Sequence, residues 1–102
     1  MNKYLLALLV MSGAAANAET SLPEAMKKIG CAACHAIDKK MLGPSFLDVA
    51  NRYRGDANTH QKLAAKIKNG GGGAWGAIPM PPQAAKKEEI AVIVNQILAL
   101  QK

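Results

Sequence analysis

The sequence predicts an all-α protein with about four helices and one long irregular loop. Apolar residues recur at intervals of three and four in four segments, and no segment shows the apolar–polar alternation of a half-buried strand. The stretch GGGGAWGAIPMPPQAA holds five glycines and three prolines in sixteen residues, which predicts a segment without regular structure. A stretch of this kind in a small domain is usually functional or disordered.

The first twenty residues, MNKYLLALLVMSGAAANAET, have the pattern of a secretory signal peptide. Lys3 precedes an apolar run from Tyr4 to Met11, and Ala16-Asn17-Ala18 supplies the small residues of a cleavage site. The run is too short to span a bilayer, so we expect no stable membrane insertion. We therefore expect residues 1–18 to be removed on export to the periplasm and residues 19–102 to form one domain.

The net charge of the chain favours some classes of binding partner over others. The formal net charge is +6, or +5 once Lys3 leaves with the signal peptide, which favours acidic partners through electrostatic steering. Nucleic acid is a weaker interpretation, because the lysines are spread along the chain and the export signal takes the protein away from it.

The first predicted helix lies in SLPEAMKKIG. Ser21 and Glu24 fit a capping box, and Pro23 suits the first turn. One apolar face follows at helical spacing, made by Leu22, Ala25, Met26 and Ile29.

Two more helices follow a loop punctuated by Gly43-Pro44. The second ends at Gly55 and has a face formed by Phe46, Val49, Ala50 and Tyr53. The third lies in NTHQKLAAKIKNG, where Asn58 or Thr59 is the expected cap and Leu63 and Ile67 face inward.

The fourth helix has the clearest pattern, in KKEEIAVIVNQILALQK. It lacks a Ser, Thr or Asp cap, and Lys86 and Lys87 oppose the helix dipole while Glu88 and Glu89 favour it. Its apolar stripe comprises Ile90, Ile93, Val94, Ile97 and Leu98.

The motif CAACH, at residues 31–35, contains both cysteines of the chain. A disulfide between Cys31 and Cys34 would close a tiny loop and stabilise little. A zinc site would need four ligands, and His35 directly after Cys34 is poorly placed for one tetrahedral ion. A thioredoxin-like dithiol would require a βαβ setting, which the sequence does not predict.

C-x-x-C-H is also the attachment sequence of c-type haem, and this is the interpretation we favour. Two thiols at this spacing reach the two vinyl groups of one porphyrin, and His35 then lies where its imidazole can bind the iron. The signal peptide and the helical context agree with it. One covalently bound haem would also fill a core for which few aromatic residues are available.

The sixth iron ligand separates an electron carrier from an enzyme or sensor with an open site. Met26 belongs to an apolar helix face, and Met41 follows His35 too closely to reach the other side of a haem. Met80 lies in IPMPP, where the flanking prolines stiffen an extended segment that can present one thioether. His60 is the rival candidate, although a histidine among polar residues is more often exposed to solvent.

The segments GCAACHAIDKKMLGPSFLDVANRYRG, KIKNG and GAWGAIPMPP resemble the short periplasmic class I cytochromes c of bacteria, of the c-551/c-552 type, over nearly the whole chain after residue 18. The resemblance implies a compact class I fold with four helices around the haem. It also implies thioethers at Cys31 and Cys34, and His35 and Met80 as axial ligands.

The resemblance also implies roles around the haem. The Pro44 carbonyl would accept the Nδ1 proton of His35. Trp75 would donate its indole N–H to a haem propionate, and Lys66 stands where relatives can use arginine as a propionate partner. Gln83 stands where some relatives carry asparagine near the Met80 sulfur, and Gln96 where relatives often have tryptophan.

From these observations we expect a monomeric single-haem electron carrier rather than an enzyme. Members of the family deliver electrons to nitrite reductase or terminal oxidases, so transient redox partners are expected, such as periplasmic reductases, cytochrome oxidase or a cytochrome bc complex. Six lysines could steer acidic partners, although each one singly is by default part of a solvated surface: Lys27, Lys28, Lys39, Lys40, Lys86 and Lys87. The alternative is a haem enzyme or sensor with an open or labile sixth position.

Overall fold

The structure is a computed structural model that describes residues 22–101. The predicted signal peptide, its cleavage after Ala18 and the capping role of Ser21 lie outside the described residues. They stay predictions.

The described residues form four α-helices, and the all-α prediction is confirmed. Extended pairing within residues 22–101 is confined to one isolated antiparallel bridge between Gly71 and Met80. The helices are α1 (Glu24–Lys28), α2 (Phe46–Tyr53), α3 (Thr59–Asn69) and α4 (Lys87–Leu98), and a short 3-10 turn (Cys31–Ala33) follows α1.

Helix α1 is shorter than its sequence pattern predicts. Pro23 lies just before the helix, at the N-cap position, instead of in the first turn. Gly30 takes a left-handed φ of 87°, which an α-helix cannot accommodate, so the chain leaves α1 and continues as the 3-10 turn. The cysteine motif therefore begins in this turn, beyond the end of α1.

The start of α3 is stabilised by a residue that the sequence did not single out. Asn58 occupies the N-cap position, but its side chain makes no capping hydrogen bond. Instead the Asp56 carboxylate accepts the Asn58 amide N–H at 2.8 Å and pairs with the Lys62 ammonium at 2.8 Å. The buried Oγ1 of Thr59 has no hydrogen-bond partner in the described part of the chain.

Helix α4 is the central element of the fold, because α1, α2 and α3 all pack against it. Its first turn is closed by Glu89, whose carboxylate accepts the Lys86 amide N–H at 2.8 Å, in place of a Ser, Thr or Asp cap. The predicted apolar faces meet in one core, where Met26 is fully buried. The other core residues contributed by the helices include Phe46, Val49, Ala50, Leu63, Ile67, Ile90, Ile93, Val94 and Ile97.

None of the helices within residues 22–101 has the length and apolar character needed to cross a bilayer.

Candidate functional site

A cavity of about 900 Å³ lies between two segments of the chain. We call residues 30–46 the histidine wall and residues 70–83 the methionine wall. Core side chains such as Val49, Leu63 and Ile67 line the cavity as well. Ligand cavities usually measure about 300–1,000 Å³, so this one suits a large, mainly apolar ligand.

The histidine wall is built by the 3-10 turn. The amide N–H groups of Cys34 and His35 both donate to the Cys31 carbonyl, at 3.1 and 2.9 Å. This tight turn brings Cys31, Cys34 and His35 to the same cavity. Cys31 is buried, Cys34 is half-buried, and no disulfide joins them. Both thiols are therefore available to one ligand.

The ring of His35 is held on two sides. Its Nδ1 lies 2.8 Å from the Pro44 carbonyl oxygen. A carbonyl oxygen only accepts, so Nδ1 carries the proton and Nε2 keeps its lone pair for a metal ion. The ring also stacks on Phe46, with centroids 4.7 Å apart and planes inclined by 25°. The hydrogen bond that the resemblance implies is thus present, whereas the sequence pattern assigned Phe46 only to the core.

Gly43 is needed for this placement of the ring. A Cβ atom added at Gly43 would lie 2.5 Å from Cε1 and 2.9 Å from Nδ1 of His35. Such distances are far below van der Waals contact, so only glycine fits beside the ring. The Gly43 amide N–H also donates to the Cys34 carbonyl at 2.8 Å, which ties the loop to the turn.

The surroundings of Cys31 and Cys34 do not favour the two alternatives to haem, a reactive dithiol and a zinc site. Burial raises the pKa of the Cys31 thiol, with a smaller contribution from the neighbouring Cys34 charge, and a backbone hydrogen bond opposes the rise. A dithiol oxidoreductase needs the opposite, a depressed thiol pKa. Among residues 22–101, moreover, no three His, Cys, Asp or Glu side chains are grouped to hold a metal ion such as zinc.

The methionine wall is an exposed segment in which backbone hydrogen bonds join Gly71 to Met80. The amide N–H of Gly71 donates to the Met80 carbonyl at 2.9 Å, and that of Met80 donates to the Gly71 carbonyl at 2.8 Å. Residues 71–79 are exposed, and Met80 is half-buried at the cavity. Gly70 has φ 72° and ψ −158°, a conformation that only glycine adopts readily.

The remaining predicted site residues also line the cavity. The Lys66 ammonium lies beside Gly71, where an added Cβ would be 3.3 Å from Nζ. Trp75 keeps 39% of its surface exposed, and its ring is covered by the Arg52 guanidinium, 4.5 Å from the ring centroid. The Gln83 side-chain amide donates to the Pro81 carbonyl at 2.9 Å, so that N–H is directed to the backbone.

The rival ligands lie elsewhere. His60 is exposed on α3, and its Nε2 lies 3.1 Å from the side-chain oxygen of Asn95. Met41 is 44% exposed, and neither residue lines the cavity. Arg52 is the residue that sequence reasoning missed, since an arginine on a polar helix face carries no signal that it will reach a tryptophan 23 positions away.

The residues present fit a haem. Two unbridged thiols, an imidazole with a free Nε2 and a thioether all border one cavity of suitable size. Gly43 leaves room for the imidazole, and Gly70 leaves room for the backbone of the methionine wall. In cytochromes c an imidazole and a methionine thioether bind the haem iron, and the two cysteines attach the porphyrin.

Comparison with known proteins gives the same result. The sequence model of the family Cytochrome c matches residues 22–101. The chain is 43% identical over 102 residues to cytochrome c-551 of Pseudomonas aeruginosa, which covers 97% of this chain and 98% of that protein. It is 39% identical over 101 residues to cytochrome c-552 of Hydrogenobacter thermophilus, which covers 99% of this chain and 100% of that protein.

The fold is similar to a solved structure of the same type. The crystal structure of wild-type Nitrosomonas europaea cytochrome c552 superposes with a TM-score of 0.74 at 37% identity, covering 76% of this chain and 98% of that one. Sequence, fold and cavity therefore agree, and the chain belongs to the cytochrome c family as a class I c-type cytochrome that carries one haem c.

Proposed function

We propose that this electron-carrier cytochrome is an exported, single-haem shuttle that moves one electron at a time between respiratory donors and a terminal reductase or oxidase. The observation that carries the proposal is the convergence of Cys31, Cys34, His35 and Met80 on one cavity. An axial ligand from each wall would leave no open position for a substrate. This favours electron transfer over the enzyme or sensor alternative.

Each of these residues has a distinct task. Cys31 and Cys34 would form the thioether bonds that keep the cofactor in place outside the cell. His35 would hold the iron through Nε2, and Met80 would hold it through its sulfur. Haem c supplies a one-electron ferric/ferrous couple. Because a neutral thioether in an apolar site favours the ferrous state, this pair of ligands would give a positive reduction potential.

Residues around His35 and Met80 would orient these two ligands and bind the haem propionates. Pro44 fixes the tautomer and orientation of the His35 ring through the 2.8 Å hydrogen bond. Lys66 and Trp75 both line the cavity, which supports a role for them in binding the propionate groups. Gln83 lies near Met80 at the cavity, and its side-chain hydrogen bond to Pro81 stiffens the segment that carries the ligand.

The surface near the cavity suits brief contact with redox partners. Leu42 and Ile78 line the cavity and are 60% and 65% exposed. Electrons would leave by the haem edge near Cys31 and Cys34, and exposed lysines such as Lys39 and Lys40 would steer acidic partners. Nitrite reductase, cytochrome oxidase and a cytochrome bc complex are candidate partners, and the protein would act as a monomer.

Export to the periplasm is part of the proposal. The N-terminal sequence supports it, since residues 1–18 have the order of charge, apolar run and small residues that a signal peptidase requires. Mass spectrometry of the mature protein from the periplasmic fraction tests it. We expect an N-terminus at Glu19, and an intact Met1 in the cytoplasm would contradict export.

The optical spectrum of the periplasmically expressed protein tests the ligand assignment. Sulfur ligation of ferric haem gives a weak near-infrared band, which we expect in the wild type and not in Met80→Ala. Met41→Ala is the matched control, because it removes the same side chain from an exposed position outside the cavity. It should keep the band. His60→Ala should also keep it, since His60 lies away from the cavity.

Three outcomes would contradict the proposal. A high-spin wild-type spectrum without the band would indicate an open site and an enzyme or sensor. Loss of low-spin ligation in His60→Ala would make His60 the sixth ligand. A colourless protein would return the CAACH motif to thiol chemistry.

A further inference from the structure

The tip of the methionine wall, residues 72–79, has little support of its own. All of these residues are exposed, and they lie between the two ends of the Gly71–Met80 bridge. One backbone hydrogen bond lies within the tip, from the Gly73 amide N–H to the Gly76 carbonyl at 3.0 Å. The tip nevertheless carries Trp75, which borders the haem cavity.

Arg52, on α2, is the residue that reaches this tip. Its Nη1 donates to the Ala74 carbonyl at 2.8 Å. Its guanidinium carbon lies 4.5 Å from the centroid of the Trp75 ring and 5.7 Å from that of Tyr53. Within residues 22–101, the Arg52–Ala74 bond is the one hydrogen bond between the tip and a helix.

The chemistry of arginine explains how one side chain makes both contacts. A guanidinium is planar, so it stacks its face on an aromatic ring while its N–H groups donate in the plane. The ammonium of lysine is a compact charge and does not combine these two geometries. Arg52 therefore fixes both the backbone at Ala74 and the orientation of the neighbouring indole.

We propose that Arg52 is a positioning residue of the haem site, which clamps the tip of the methionine wall to α2 and holds the Trp75 indole against the cavity. The proposal rests on the proposed function, in which the indole N–H of Trp75 binds a propionate. Without the clamp, the tip would move freely about its base, and the indole N–H would exchange with water more often.

The chain offers a clean reporter, because Trp75 is its only tryptophan. The holoprotein labelled with nitrogen-15 gives one indole N–H signal, whose exchange rate with water is measured by NMR in the diamagnetic ferrous state. Exposed cation–π contacts and hydrogen bonds each contribute modestly, so Arg52→Gln should accelerate exchange about tenfold. Arg52→Lys should lose most of the protection as well, because it keeps the charge and loses the planar fork.

Arg54→Gln is the matched control. It makes the same change of residue and charge two positions away, where the guanidinium binds Asn51 and the Leu100 carbonyl and not the tip. We expect the wild-type exchange rate for it. Wild-type exchange in Arg52→Gln would overturn the proposal, and so would wild-type exchange in Arg52→Lys, since a charge alone would then suffice.

The near-infrared band of the ferric protein is recorded on the same samples. The band tests ligation by Met80, whereas the indole exchange rate tests the clamp. Failure of the proposed function and failure of the Arg52 inference therefore give different results.

Discussion

The two walls of the haem cavity are stabilised in different ways. In the histidine wall, the His35 ring is held by Pro44 and Phe46, both within eleven residues of it. Cys31, Ile37 and Phe46 anchor this wall in the core. The methionine wall is exposed from residue 71 to residue 79. It is tied to the helices by long-range hydrogen bonds, such as Gln83 N–H to the Ile67 carbonyl at 2.9 Å.

If His35 and Met80 bind the iron as proposed, the difference predicts that the two ligands respond differently to local opening of the chain. Regions with few buried contacts and exposed hydrogen bonds open at lower free energy than the core does. We therefore expect the methionine side to exchange or lose its ligand before the histidine side does. Substitutions that displace the Met80 segment should alter ligation strongly, and those that crowd the His35 ring without removing it should act mainly through stability.

The largest expected effect is that of Gly70→Ala, at the base of the methionine wall. An added Cβ would collide with the backbone of Met80, Pro81 and Pro82, in a conformation that favours glycine. We expect a loss of about 3 kcal/mol in the free energy of unfolding, from overpacking and backbone strain together. The near-infrared band should weaken as Met80 shifts. Both are measured on the ferric protein, by denaturant titration and optical spectroscopy.

Gly73→Ala is the control for that change. Gly73 also has a positive φ, 94°, but nothing lies within 4 Å of an added Cβ. It should cost only the backbone strain, about 1 kcal/mol, and keep the band. Equal effects of the two substitutions would show that the contact between Gly70 and the Met80 segment is unimportant.

Gly43→Ala is the corresponding change in the histidine wall. The new methyl group would overlap the His35 ring, which Phe46 and Pro44 hold in place. Overpacking of this kind costs about 2 kcal/mol. The comparison of the walls predicts lower stability in denaturant titrations with the near-infrared band retained. Loss of the band at unchanged stability would reverse the assignment of roles to the two walls.

Ser45→Ala tests a smaller contribution to the histidine wall. The buried Ser45 hydroxyl accepts the Asp48 amide N–H at 3.0 Å and caps α2, which carries Phe46. Loss of an N-cap costs about 1 kcal/mol. Ser45→Thr keeps the capping oxygen and should retain most of the stability in thermal unfolding. Equal melting temperatures for Ser45→Ala and the wild type would exclude a capping role.

The smallest effect is expected at Asp56, which lies in neither wall. The Lys62 ammonium, and then the Asn58 amide N–H, hold the pKa of the Asp56 carboxyl below its ordinary value. A lowered pKa means that the folded state favours the charged form. Its contribution is present above the ordinary pKa of aspartate and is lost as pH falls through the lower, folded value.

Asp56→Asn should therefore lower stability slightly at neutral pH, and its difference from the wild type should vanish in acid. Denaturant titrations at several pH values measure this. Lys62→Gln removes the main cause of the lowered pKa and should reduce the pH dependence in the same range. A difference between wild type and Asp56→Asn that is independent of pH would show that the carboxylate charge is not responsible.

The sequence by itself determined the helical class, the haem attachment motif and the candidate ligands. Each of these features is predicted by a local sequence pattern. The CAACH spacing suits two thioethers and one imidazole, apolar residues at helical intervals define each face, and prolines stiffen the segment around Met80. A local pattern can be read without knowing what it packs against.

Only the tertiary structure decided how the site is supported. Phe46 stacks on His35, Gly43 makes room for that ring, and Arg52 covers Trp75. At the start of α3, Asp56 rather than Asn58 or Thr59 supplies the side-chain acceptor. Such contacts depend on where separate segments meet and which way each side chain points. Local periodicity predicts neither the meeting point of two segments nor the direction of a side chain, because the packing of the helices against α4 sets both.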